Sequence, residues 1–386
     1  MRILMVSARY YPFVGGTETH VHEVGTRLAG MGHSITVLTT DPHGSLPTEE
    51  LVCPGMRIKR VRAYPPNRDY YFSPRIYTEI SQAPCDLIHF QGYNNFVAPI
   101  GMLAAIRRKV PFVLTFHSGG HSSRLRNAIR GPQQVALSPL VARAAHLIGV
   151  SDREAAFFSK RMRINEDRFT VIPNGAELPP PSDPPPALEP HLVLSVGRLE
   201  RYKGHHRVIG AFPALRERVP DASLKVVGSG PYKADLIALV RKLRLESCVS
   251  FVSIPPHDRQ YLANILFSAG LIVLLSEQEA HPVAVLEALS AGRPVLVSDA
   301  PGLQELARAG LCRSVPLDSG PSGVAAAIAV ELTARHDNME RVSLPTWDDC
   351  VSQILQVYNS VSEETAAVPD CEEDNSIIVR HYGRGP

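Results

Sequence analysis

The chain has 386 residues, 44% of them apolar and 20% charged, with a net charge of +2. That length suits two domains with a sizeable core each. The composition is that of an ordinary globular protein, and the small net charge gives no bulk attraction for nucleic acid. Six cysteines (Cys53, Cys85, Cys248, Cys312, Cys350 and Cys371) are scattered without a Cys-x-x-Cys pair. They predict free thiols in a reducing compartment and no zinc site. No run of 18 apolar residues occurs, so no transmembrane helix is expected, and the cytoplasm is the expected location.

The opening run, residues 3–6, is too short for a signal-peptide core, and Ser7-Ala8-Arg9-Tyr10-Tyr11-Pro12 breaks it at once. It predicts a first strand. Pro12-Phe13-Val14-Gly15-Gly16-Thr17-Glu18 then leads into a helix over 18–30. Gly15 and Gly16 at such a turn let the backbone approach a phosphate, although a plain tight turn has the same composition. The dinucleotide fingerprint Gly-x-Gly-x-x-Gly is absent, which argues against a dehydrogenase. Further strands are predicted over 34–39, 87–90, 112–116, 147–150 and 170–172, with helices over 96–108 and 134–145. The strand at 112–116 ends in His117-Ser118-Gly119-Gly120, and strand ends are where sites form in α/β domains. Basic residues at Arg107-Arg108-Lys109 and at Arg124, Arg126 and Arg130 fit a solvated face. They also fit an acceptor-site or membrane-surface patch, which leaves a peripheral contact at the inner face of a membrane open.

Residues 179–190 hold Pro179-Pro180-Pro181-Ser182-Asp183-Pro184-Pro185-Pro186-Ala187-Leu188-Glu189-Pro190, which reads as a semi-rigid linker between domains 1–178 and 191–345. Beyond it strands are predicted over 192–196, 223–227, 249–252, 271–275 and 294–297, with helices over 206–218, 232–243, 258–267 and 283–291. Each half is then a doubly wound, Rossmann-like α/β domain with its ligand at the carboxyl ends of the strands. Arg198 and Lys203 follow the 192–196 strand and suit a diphosphate, one as a planar fork and the other as a point charge. Val252 and the two residues after it lie at another strand end. After Ser314 the pattern fades until an amphipathic helix over 346–361. Residues 362–386 are acidic, then polar, and read as a disordered tail.

The stretch Glu279-Ala280-His281-Pro282-Val283-Ala284-Val285-Leu286-Glu287 lies between a buried strand and a helix ending at Gly292. Pro282 reads as the first helical residue. Free N–H groups at the helix start near Val283 and Ala284 suit phosphate, Pro282 offering none, and the flanking carboxylates suit sugar hydroxyls. Two glutamates eight apart are common by chance, so the neighbourhood carries the reading.

Together with Gly197-Arg198-Leu199, Lys203-Gly204, Pro173-Asn174-Gly175 and Ala291-Gly292-Arg293-Pro294, this stretch closely resembles family-4 retaining glycosyltransferases over about residues 2–360. The resemblance implies a GT-B fold, with two Rossmann-like domains facing each other across a cleft and the last helix crossing back to the first domain. It implies a hexosyl transfer from a nucleotide-diphosphate sugar, a UDP- or GDP-sugar foremost, to a hydroxyl acceptor with retention, without a metal or other cofactor. Glu279 and His117 would hold the transferred sugar. Gly15, Gly16, Arg198, Lys203, Val252, His281, Pro282, Val283, Ala284 and Glu287 would bind the rest of the donor, Glu287 at the ribose. The chain departs from the pattern at Ala280-His281-Pro282, Gly270 and Leu275. The competing reading is a catalytically silent, nucleotide-binding homologue that acts as a partner subunit.

Overall fold

The computed structural model describes residues 1–66, 71–93, 95–118, 124–334 and 344–367. Two sheets organise the chain. The first holds β1 (Arg2–Ser7), β2 (Ser34–Asp41), β3 (Glu49–Cys53), β4 (Met56–Arg62), β5 (Leu87–Gln91), β6 (Phe112–Thr115), β7 (His146–Gly149) and β8 (Phe169–Val171) in the order β3-β4-β2-β1-β5-β6-β7-β8. All neighbours are parallel except the hairpin β3-β4. The helices α1 (Gly16–Gly30), α2 (Arg75–Gln82), α3 (Val97–Arg108), α4 (Arg124–Val141) and α5 (Asp152–Met162) cross between its strands. Successive residues of β1 alternate between two cores. Leu4 and Val6 join Phe90, Leu114 and Phe116, while Ile3 and Met5 join Val21, Val24 and Leu28. A parallel sheet covered on both faces requires that alternation of apolar residues.

The second sheet holds β9 (Glu189–Val196), β10 (Ser223–Val227), β11 (Val249–Val252), β12 (Ala269–Leu274), β13 (Val295–Ser298) and β14 (Arg313–Val315), all parallel, in the order β11-β10-β9-β12-β13-β14. Around it lie α6 (His205–Arg216), α7 (Lys233–Lys242), α8 (Arg259–Ser268), α9 (Val283–Ser290), α10 (Leu303–Arg308) and α11 (Pro321–Thr333). The last helix, α12 (Trp347–Ala367), belongs to the first domain's core. It inserts Trp347, Val351, Ile354, Tyr358 and Val361 beside Val24 and Leu28. The strand order reverses between β1 and β5 and again between β9 and β12, so each sheet opens a crevice at its carboxyl end.

Several expectations are corrected here. Nothing was expected between 40 and 86, where β3, β4 and α2 form, because Arg60 hides the alternation of β4. Its guanidinium is buried and donates to the carbonyls of Pro47 and Tyr11 at 3.1 and 3.0 Å. The fading after Ser314 conceals α11, whose alanine-rich sequence has little periodicity but packs Val324, Ala325 and Ile328 against α6 residues. Linker residues 179–188 carry no regular element, yet β9 starts at Glu189 and takes in Pro190. Proline is tolerated there because the register shifts between Ala269 and Leu271. At Gly270 a Cβ would overlap the Pro190 carbonyl, so the glycine permits that close approach. The last helix runs on to Ala367, past the expected end at 361, and the rest of the expected tail lies outside the described residues. No helix among the described residues is long and apolar enough to cross a membrane.

Candidate active site

The loops after β1, β6, β9 and β12 converge on one cleft of about 380 Å³ between the domains, a size typical of small-ligand sites. Gly15 caps α1 in an extended conformation, and its carbonyl accepts the Thr19 N–H at 2.9 Å. A Cβ there would overlap the Glu18 carboxylate and come within 3.5 Å of Arg198 Cδ. A Cβ on Gly16 would sit 3.7 Å from Val283 of the other domain. Both distances to the second domain are ordinary contact distances, so the tight neighbour at Gly15 is Glu18 of its own helix, while the loop itself lies against the second domain's cleft wall.

Arg198 leaves β9 through Gly197, which has φ +146°. Burial disfavours its charge, but Tyr202, Glu18 and Glu200 outweigh that and raise its pKa. Lys203 ends a 3-10 turn at Gly204 (φ +77°), where a Cβ would overlap the Leu275 carbonyl. That contact pins the turn to the end of β12. Lys203 Nζ lies 2.5 Å from Glu279 Oε1. Burial lowers the Lys203 pKa and the Glu279 carboxylate more than restores it, so the ammonium persists. The expected phosphate clamp and sugar-binding carboxylate are thus ion-paired with each other.

The Glu279 loop is anchored by its own backbone. Glu277 N–H donates to the Tyr202 carbonyl at 2.8 Å and Glu279 N–H to the Pro301 carbonyl at 3.1 Å. Pro282 is the N-cap of α9 and not its first residue, with φ −78° and ψ 100°. Its carbonyl accepts the Val285 and Leu286 N–H groups at 3.0 and 3.2 Å. The amides of Val283 and Ala284 precede those bonds, and both residues line the cleft. They are the donors a helix start presents to an anion. Gly292 is left-handed (φ +67°) just past the helix, as expected. Glu287 lines the cleft but pairs with Arg259 of α8, Oε1 to Nη1 2.8 Å. Burial raises its pKa and Arg259 opposes the rise. The expected ribose contact therefore falls to a carboxylate that already holds a cation.

His117 closes the first domain's side. It follows β6 in a left-handed conformation, φ 48°, and donates from Nε2 to Gln91 Oε1 at 2.7 Å. Its ring is 4.6 Å from that of His20. Burial pushes its pKa well below 6.5, and His20 and His89 add to the shift, so the ring is neutral at pH 7. Glu154 accepts the Ser118 N–H at 2.6 Å on one oxygen and the Val150 N–H at 2.8 Å on the other.

Among the expected site residues, Val252 alone is set apart. It ends β11 against the second domain's core, while Ile254 two residues on lines the cleft. Arg108, from the expected basic patch, instead donates to the Ile80 and Ala83 carbonyls at 2.7 and 2.8 Å, bracing the end of α2. Arg130 lines the cleft, and the side chains of Arg124 and Arg126 lie outside the described residues. Sequence reasoning missed Arg259, Glu154 and Gln91 and gave Asn174 only an architectural part. The capping pattern Ser151-x-x-Glu154 was the available signal for Glu154.

Two facing α/β domains of this topology, with a cation-lined cleft between them, define the GT-B class of glycosyltransferase. Residues 14–178 match the family described as Glycosyltransferase Family 4, and residues 182–328 match Glycosyl transferases group 1. A glycogen synthase of Mycobacterium tuberculosis is 30% identical over 93% of this chain and 94% of its own. In structure, the chain is similar to sucrose-phosphate synthase from Thermosynechococcus elongatus, with TM-score 0.70, 19% identity, and 94% and 100% of the two chains covered. It is also similar to Anabaena Alr3699/HepE in complex with UDP-glucose, with TM-score 0.67, 18% identity, and 95% and 100% covered. The chain belongs to the family-4, group 1 glycosyltransferases.

Proposed function

We propose that this glycosyltransferase moves a hexosyl group from a nucleotide-diphosphate sugar to a hydroxyl acceptor, retains the anomeric configuration and needs no metal. The observation that carries the reading is the meeting of Arg198, Lys203 and the start of α9 with His117 from the opposite domain around one cleft. In the reaction the bond from the anomeric carbon to the diphosphate oxygen breaks as negative charge grows on the leaving group. Arg198, Lys203 and the Val283 and Ala284 amides are placed to stabilise that charge. Two fixed cations do there what a divalent ion would otherwise do. The acceptor oxygen attacks from the face the diphosphate leaves, and its proton passes to the departing phosphate oxygen.

Donor binding has to open or bridge the Lys203–Glu279 pair. The released carboxylate then takes the sugar hydroxyls while the ammonium turns to phosphate. The UDP-glucose held by the Anabaena protein favours a uridine donor. Closing the two domains on the donor would exclude water, which otherwise hydrolyses the activated sugar.

Calorimetry with UDP, GDP and ADP and their sugar conjugates, in the presence of EDTA, tests the reading. One nucleotide series should bind, and Arg198→Ala should weaken it about a hundredfold, the scale of a lost charge-assisted contact. Failure of all three series to bind would remove the assignment. Binding without sugar turnover on any acceptor would mark a silent partner subunit.

A further inference from the structure

His281 lines the cleft in the loop that leads into α9. Its Nδ1 lies 3.2 Å from the backbone nitrogen of Asn174. A backbone amide only donates, so Nδ1 is the ring's unprotonated nitrogen, and the proton of the neutral ring sits on Nε2. Asn174 grips the same residue a second time, its side-chain Nδ2–H donating to the His281 carbonyl at 3.3 Å. Asn174 is itself held, since its Oδ1 accepts from His20 Nδ1–H at 2.9 Å and only 3% of its surface is exposed. The tautomer of His281 is therefore set by a buried residue at the crossing between the domains. Burial lowers the ring's pKa to about 4, which keeps it neutral at pH 7. Its Nε2–H has no hydrogen-bond partner among the described residues.

We infer that His281 donates its Nε2–H to a hydroxyl oxygen of the sugar carried by the bound nucleotide, and that this bond discriminates among donor sugars. The inference rests on the nucleotide-sugar reading above. A sugar hydroxyl fits better than the diphosphate for two reasons. The diphosphate's charge is already met by Arg198, Lys203 and the α9 amides, whereas a neutral imidazole suits a neutral acceptor. The contacts of His281 also run through Asn174 to His20, whose ring adjoins His117 on the first domain's wall. In this reading that wall holds the sugar.

Two measurements test the inference. Histidine-selective 15N–1H spectra of the free protein, with the His281 signal assigned by its loss in His281→Phe, should show the Nε2–H tautomer from pH 6 to 8. An Nδ1–H tautomer or a doubly protonated ring at pH 7 overturns the inference. Calorimetry then compares UDP with UDP-glucose, or the equivalent pair from the series that binds, on the wild type, His281→Phe and His281→Gln. The phenyl ring keeps the shape without the donor, while the glutamine amide nitrogen reaches the position of Nε2. The sugar conjugate should bind His281→Phe about tenfold more weakly, the scale of one neutral hydrogen bond. Binding of the bare diphosphate should be unchanged, and His281→Gln should restore most of the loss. Equal weakening of both ligands, or no weakening of the conjugate, overturns the inference. Failure of the underlying reading looks different: the wild type would then bind neither ligand, whatever tautomer the ring shows.

Discussion

At the scale of single residues, the cleft depends on side chains that hold others in place. Glu154 never reaches the cleft wall, yet its carboxylate fixes the amide next to His117, a residue held at φ 48°. A left-handed non-glycine residue persists only where its surroundings over-determine it. Glu154→Ala should therefore lower kcat by about ten- to a hundredfold, the cost of misplacing a positioned group, with donor affinity less affected. Glu154→Gln, which keeps one acceptor, should recover part of the rate. Steady-state kinetics on the three proteins checks this, and a loss confined to KM would contradict it. Gly302 has a comparable part in the donor loop. It sits at φ +85°, and a Cβ there would overlap the Glu279 carbonyl. Gly302→Ala should weaken the nucleotide sugar about tenfold or more by shifting that loop, since both strain and overlap oppose it. Calorimetry would read the change, and wild-type affinity would show that the loop yields freely.

At the scale of elements, α12 joins the end of the chain to its beginning. Trp347 is 1% exposed, Tyr358 OH lies 2.6 Å from His89 Nδ1, and Arg27 of α1 pairs with Asp348 at 2.7 Å. The backbone of Gly175 packs against Trp347 so closely that a Cβ would overlap it, which ties the interdomain crossing to the helix. Trp347→Ala should destabilise the first domain by about 3–5 kcal/mol, the usual cost of emptying a buried aromatic site. The matching observation is an earlier urea transition for that domain, with the second domain's transition unmoved. Elements also differ in how readable they were. β1, β9 and β12 announce themselves as short apolar runs because both faces of a parallel sheet are covered. By contrast, β4 was hidden by a buried arginine, and α11 by alanines that show no contrast between faces.

At the scale of the whole molecule, buried histidines tie stability to pH. His20 and His205 are lowered to about 4 and His89 to about 3, burial being the leading cause for each. The unfolded chain takes up these protons near 6.5, whereas the folded protein does not until pH 3–4. Their contribution is thus complete above about 6.5 and lost as pH falls toward 4. The urea midpoint should drop steadily between pH 6.5 and 4, and a flat profile would contradict the burial. The two α/β halves and the paired-glutamate stretch were legible in the sequence, because strand periodicity, helix stops and loop motifs are local properties. So was the placing of Arg198, Lys203, Glu279 and His117 near strand ends, and all four line one cleft. Their partners were not legible. Lys203 and Glu279 meet across 76 residues of chain, His20 and Asn174 across 154, and Asn174 and His281 across 107. Such pairs exist only once two sheets have set their strand ends against each other. The sequence alone thus determined which chemical groups stand at the strand ends, while the tertiary structure decided which charges neutralise one another and which nitrogen of His281 carries its proton. Those outcomes depend on distances and burial that no local pattern encodes.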